Sequence, residues 1–181
     1  MARTPELLCA DVRDELAKLA RLERLFATAE HQLACAADDV SDYDRGAIGY
    51  LLHNFYNGCE NIFRAIAAYF ENDLGSDTWH ADLLRRMRLE IPGYRPAVID
   101  DALYRLLDDF RGFRHVFRNC YTFELDWERE RLVASRLRPA AALLHTQVEA
   151  FLARIEGGDA AEGNAGDSAP DGAKDSAKDS N

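Results

Sequence analysis

A chain of 181 residues, 48% of them hydrophobic, can bury one sizeable core. Its net charge of −10 excludes a surface that coats nucleic acid indiscriminately, because neutralising phosphates needs clustered lysine and arginine. Cys9, Cys35, Cys59 and Cys120 lie far apart with no C-x-x-C pair, so reduced thiols are expected rather than a small secreted disulfide scaffold.

The opening MARTPELLCADVRDE turns charged before an apolar region of signal-peptide length develops. No apolar run reaches the ~18 residues needed to span a bilayer, so a soluble cytoplasmic protein without membrane contact is expected. Thr4-Pro5 predicts the start of a long first helix, with Leu8, Val12, Leu16, Leu19, Leu22 or Glu23, and Phe26 at helical spacing toward Leu33. Ser41-Asp42 predicts the cap of a second helix running to about Asn72, with an apolar stripe of Ile48, Leu52, Phe55, Cys59, Ile62, Ile66 and Tyr69. Phe55, Tyr56, Phe63, Tyr69 and Phe70 exceed what one stripe buries, which points to a self-association face as an alternative to ordinary core.

Ser76-Asp77 predicts a third helix carrying Trp79, Leu83, Leu84 and Met87, ended by Pro92-Gly93. A fourth is expected from near Pro96, with the stripe Ile99, Leu103, Leu106, Phe110, Phe113, Phe117 and Cys120. Asp126 caps a predicted fifth helix reaching about Ile155, which Pro139 should bend or split. No segment alternates as a strand does. The expected fold is all-α, an elongated antiparallel bundle of about five helices over residues 1–156. Residues 157–181 are low-complexity, lack large apolar side chains and are expected to form a disordered acidic tail.

Charge is unevenly distributed. Between Arg105 and Arg138 there are eight arginines against six acids. At 100° per residue, Arg111, Arg114, Arg118 and Tyr121 fall within a sector of about 80°. Such a face suits bidentate phosphate binding, with nearby rings available to unpaired bases. The plainer alternative is a solvated face whose arginines pair with Asp108, Asp109 or Glu124. Glu60 lies among apolar neighbours on the second helix and either orients an arginine across the bundle or is a surface carboxylate. His31 and Cys35 stand four apart, but two ligands without a further pair make a weak zinc pattern. His53, His80 and His145 are scattered and suggest no role. No glycine-rich phosphate loop, H-E-x-x-H or G-x-S-x-G appears.

Arg114, a polar His115 directly after it, and Tyr121 seven positions on resemble the motif of HepT-like ribonuclease toxins of the HEPN family. That motif reads arginine, four residues, histidine, one residue, tyrosine. HNFYNGCENIFRAIA (53–67), WHADLLRRM (79–87) and FELDWER (123–129) also resemble such proteins, so the likeness spans about residues 5–155. The resemblance implies a homodimer whose two motif helices form an RNA cleft, and a metal-independent endoribonuclease that needs no cofactor. It implies Arg114 as phosphate holder and His115 as polar support; Arg111 and Arg118, on the same face by their spacing, are the expected RNA-binding residues. It also implies an MNT-type nucleotidyltransferase antitoxin that adds AMP to Tyr121.

The sequence departs from the motif at Asn119, where the family pattern has histidine. An amide hydrogen-bonds much as an imidazole does but does not titrate near neutral pH. The chain as written is therefore expected to be a poor nuclease or none, whether by deliberate replacement or as a naturally silent relative. The rival expectation is a non-enzymatic HEPN module that binds RNA, nucleotide or a protein through the same arginines.

Overall fold

The computed structural model describes residues 4–70, 79–119, 121 and 124–158. Six α-helices account for most of them: α1 (Pro5–Ala29), α2 (Asp42–Phe70), α3 (Trp79–Arg88), α4 (Asp101–Phe117), α5 (Trp127–Ala134) and α6 (Leu137–Glu156). Among the described residues there is no strand, only one antiparallel bridge between Ile91 and Arg95. No described helix is long and apolar enough to cross a membrane.

Four of the starts have a side-chain cap. The Thr4 hydroxyl accepts from the Leu7 amide, Ser41 Oγ from Asp44, Asp100 from Leu103, and Asp126 from Glu128 and Arg129. Such caps satisfy donors that a first turn leaves without partners. The fifth predicted helix is two, α5 and α6, because Pro139 has no amide to continue the ladder and instead occupies the first turn of a new helix.

α1, α2, α4 and α6 form an antiparallel bundle. Glu15 meets Asn61 across α1 and α2, Phe55 meets Phe110 across α2 and α4, and Gln147 of α6 caps the amide of Asp100. Arg13 and Arg138 tie the two ends of α1 to α6 through Glu156 and Glu30. α1 lies close against α2 at Gly58, where a Cβ would stand 2.5 Å from Leu19 Cδ2.

Three expectations need correction. α1 gives way to a tighter 3₁₀ turn over Glu30–Ala34, short of Leu33 as an α-helix. α4 begins at Asp101 rather than Pro96, and its buried stripe runs Leu103, Leu107, Phe110, Phe113, with Leu106 only half-buried. The aromatic surplus of α2 is core: Phe55, Tyr56, Phe63 and Phe70 are buried and Tyr69 packs beside them. α2 is lined by α1, α3, α4 and α5, so more than one stripe is covered. The Ser76-Asp77 cap, Cys120 and the tail from residue 159 lie outside the described residues.

Candidate functional site

Arg114 sits in the last turn of α4 facing α2. Its Nη1 donates to Glu60 Oε1 at 3.3 Å, and Glu60 is only 3% exposed. Glu60 Oε2 also lies 3.6 Å from Arg64 Nη2, so one buried carboxylate serves two guanidiniums. The Arg114 side chain keeps 19% of its surface exposed, and its guanidinium lies 6.0 Å from the centre of the Tyr56 ring. The carboxylate fixes one edge of the guanidinium; Nε is buried, and the exposed part of the side chain is what an anion from outside could reach. Glu60 is thus a buried partner of an arginine, not a surface carboxylate.

The other two arginines differ. Arg111 is held by Asp108 at 2.7 Å, the solvated pairing that charge spacing also allowed. Arg118 is exposed at the C-cap of α4 and has no carboxylate partner among the described residues. Asp109 is taken by Arg136. Glu124 accepts from the backbone amide of Tyr121 rather than from an arginine.

α4 stops at Phe117, so Asn119 and Tyr121 stand beyond the helix and the angles of a continuous helix do not apply to them. The Asn119 amide Nδ2 donates back to the His115 carbonyl at 2.6 Å, closing the helix end on itself. His115 is exposed, and the Tyr121 side chain is on the surface at 70% exposure.

His53, given no role by the sequence, belongs to this neighbourhood. Its ring lies 5.7 Å from that of Phe117, and Nε2 is 2.9 Å from the Asn57 amide. Burial pushes its pKa below the ordinary imidazole value, and the charges of Arg114 and Arg118 push the same way. Gly49, one turn earlier, lets Phe117 lie against α2, since a Cβ there would be 2.5 Å from Phe117 Cε2. Just behind it, Glu130 of α5 is fully buried with neither carboxyl oxygen hydrogen-bonded. Burial raises its pKa to about 8, against the opposing pull of Arg45 and the Gly49 backbone.

Among the described residues no three His, Cys, Asp or Glu side chains gather as a metal site. His31 turns its Nδ1 to the Thr28 carbonyl. Cys9, Cys35 and Cys59 are free thiols.

No curated protein and no solved structure matches the chain. A family model described as HepT-like protein matches residues 47–155. The matched span runs from the first turns of α2 through nearly all of α6, and it contains Glu60, Arg114, Arg118, Asn119 and Tyr121. The match covers more than half of the chain, and the chain belongs to the HepT-like family.

Proposed function

We propose that this chain is the toxin component of a HEPN/MNT toxin–antitoxin pair, built as a metal-independent endoribonuclease and silenced at Asn119. The observation that carries the reading is the Glu60–Arg114 pair, four residues before an exposed Arg118 that has no carboxylate partner among the described residues, in a member of the HepT-like family. Two arginines four residues apart at one helix end, one of them held by a buried carboxylate, suit a phosphodiester. Cleavage would form a bond from the 2′-oxygen to phosphorus and break the bond to the 5′-oxygen. A proton leaves the 2′-hydroxyl and one reaches the departing oxygen, giving a 2′,3′-cyclic phosphate and a 5′-hydroxyl end. With histidine at position 119 an imidazole would serve one of those transfers; the amide cannot.

Asn119→His is expected to give RNA cleavage in EDTA and growth toxicity, both lost on adding Arg114→Ala. An inert Asn119→His chain on total RNA, with RNA still bound tightly by the unaltered chain, would overturn the nuclease reading. It would favour the second one, a binding module without catalysis, which the inward turn of the Asn119 amide supports. The cytoplasm is the compartment such a pair requires.

The reading includes a homodimer through α2 and α4. Its support is no longer the buried aromatics but Tyr43 and Tyr50, seven residues apart on α2 and 84% and 60% exposed. It also includes modification of Tyr121 by an MNT-type nucleotidyltransferase, for which the exposed phenol is available.

A further inference from the structure

We infer that His53 is the group that takes the 2′-hydroxyl proton from an RNA seated on Arg114 and Arg118, because it lies one rung beyond the Glu60–Arg114 pair along the same seam. This rests on the nuclease reading above and deepens it. His53 and Glu60 are seven residues apart and share a face of α2; Arg114 and Phe117 are three apart and share a face of α4. The helices run antiparallel, so Glu60 meets Arg114 while His53 meets Phe117. Arg118 follows directly at the helix cap. A half-buried imidazole of α2 and the two arginines at the end of α4 therefore belong to one seam between two helices.

The charged groups facing His53 are Arg114 and Arg118 from α4, with Glu60 two turns along its own helix and Glu130 of α5 one turn back against Gly49. Its Nδ1 is buried without a hydrogen-bond partner, and Nε2 is engaged by Asn57. An added proton in the empty site would bury a positive charge beside two others. Burial and the two arginines accordingly hold the imidazole neutral, which is the form that accepts a proton. A seated phosphodiester carries a negative charge to the same spot and offsets the guanidiniums. Basicity of His53 then rises when substrate is present, and Nε2 exchanges the Asn57 amide for the 2′-hydroxyl.

Linkage makes this measurable without catalysis. If an anion raises the imidazole pKa, protonation must tighten anion binding by the same factor. The probe is a DNA oligonucleotide of ten nucleotides, which lacks the 2′-hydroxyl and is not cleaved, used with the full unaltered chain. Its affinity is expected to rise as pH falls through the region where the complexed imidazole titrates. The His53 ring resonances are expected to titrate at higher pH in the complex than alone. His53→Gln removes the extra affinity on the acid side; His145→Gln, on the exposed side of α6, leaves it. In the Asn119→His chain, His53→Gln lowers the cleavage rate about 10²-fold or more, as loss of a general base does, with an affinity at pH 8 within about threefold. A His53 titration unmoved by oligonucleotide, while other resonances shift, overturns the assignment and leaves the nuclease reading standing. No resonance shifting at all overturns both.

Discussion

Glu60 and Arg114 face each other across the seam between α2 and α4, and the carboxylate is the more deeply buried of the two. That asymmetry sets the cost of losing either. Arg114→Ala takes from the buried carboxylate its contact at 3.3 Å, whereas Glu60→Ala leaves arginines that can turn to water. Removing one member of a buried pair typically costs about 3–5 kcal/mol. Arg114→Ala is expected at the upper part of that range and Glu60→Ala below it. Urea unfolding of both variants checks the order; equal midpoints would contradict it.

Glu130 makes stability depend on pH. Its carboxyl has a folded pKa of about 8 against an ordinary 4.5, so the folded state binds the proton more tightly than the unfolded chain. Its contribution is fully present below pH 4.5 and is lost as pH rises toward and through about 8. The loss should reach a few kcal/mol. Glu130→Gln keeps the shape without the charge, so it should flatten this part of the profile and leave the variant more stable than the parent at pH 8. Thermal unfolding across that range, with both chains in the same buffers, gives the answer.

Gly49 controls how closely the end of α4 lies on α2. A methyl group at that position meets the Phe117 ring at 2.5 Å and Glu130 Oε1 at 3.1 Å, so the ring must move. Gly49→Ala should cost about 1–3 kcal/mol, the usual penalty of overpacking. Because Phe117 also touches His53, the same substitution should shift the His53 ring resonances. Gly112, with open space around it, offers a control that raises helix propensity without a clash.

How much of this was legible follows from the range of each signal. The stripe of α2 is a local pattern, and Ile48, Leu52, Phe55, Cys59, Ile62 and Ile66 are all buried as their spacing requires. Glu60 could be suspected because it interrupts that stripe. His53 could not, since its meaning depends on the register of α2 against α4, and no local pattern encodes that register. Its distance of seven residues from Glu60 was the available clue. The end of α4 was missed because Phe117-Arg118-Asn119 contains neither glycine nor proline, the residues that normally mark a stop. Glu130 reads as one more charge in WERERL; only the burial of Trp127 and Ala134 on the same side of α5 turns it inward.

Self-association is expected to use Tyr43 and Tyr50 rather than the buried rings of α2. Sedimentation equilibrium at micromolar concentration should report twice the chain mass, and Tyr50→Asp should shift the protein toward monomer without changing its helical signal. A monomer for the unaltered chain would remove the dimer from the functional reading.

Tyr121 is 70% exposed, and on the toxin reading proposed above it is the expected site of modification. Its side chain is exposed beyond the end of α4, and its backbone amide donates to the Glu124 carboxylate. Transfer of AMP would form a bond from the phenolic oxygen to the α-phosphorus of ATP, release pyrophosphate and give up the phenolic proton. The added phosphate could then pair with Arg118, which has no carboxylate partner among the described residues, and the adenosine would occupy the path of an RNA. Charge and volume would act together, and Asn119 does not stand in the way, because its amide is turned to the His115 carbonyl. Incubation with the cognate nucleotidyltransferase, ATP and magnesium is expected to add the mass of one AMP per chain, and Tyr121→Phe to abolish it. In the Asn119→His background the modified protein should lose RNA cleavage, and Arg118→Ala should weaken that inhibition, since the phosphate would have lost its partner. An increment that persists in Tyr121→Phe would place the modification elsewhere.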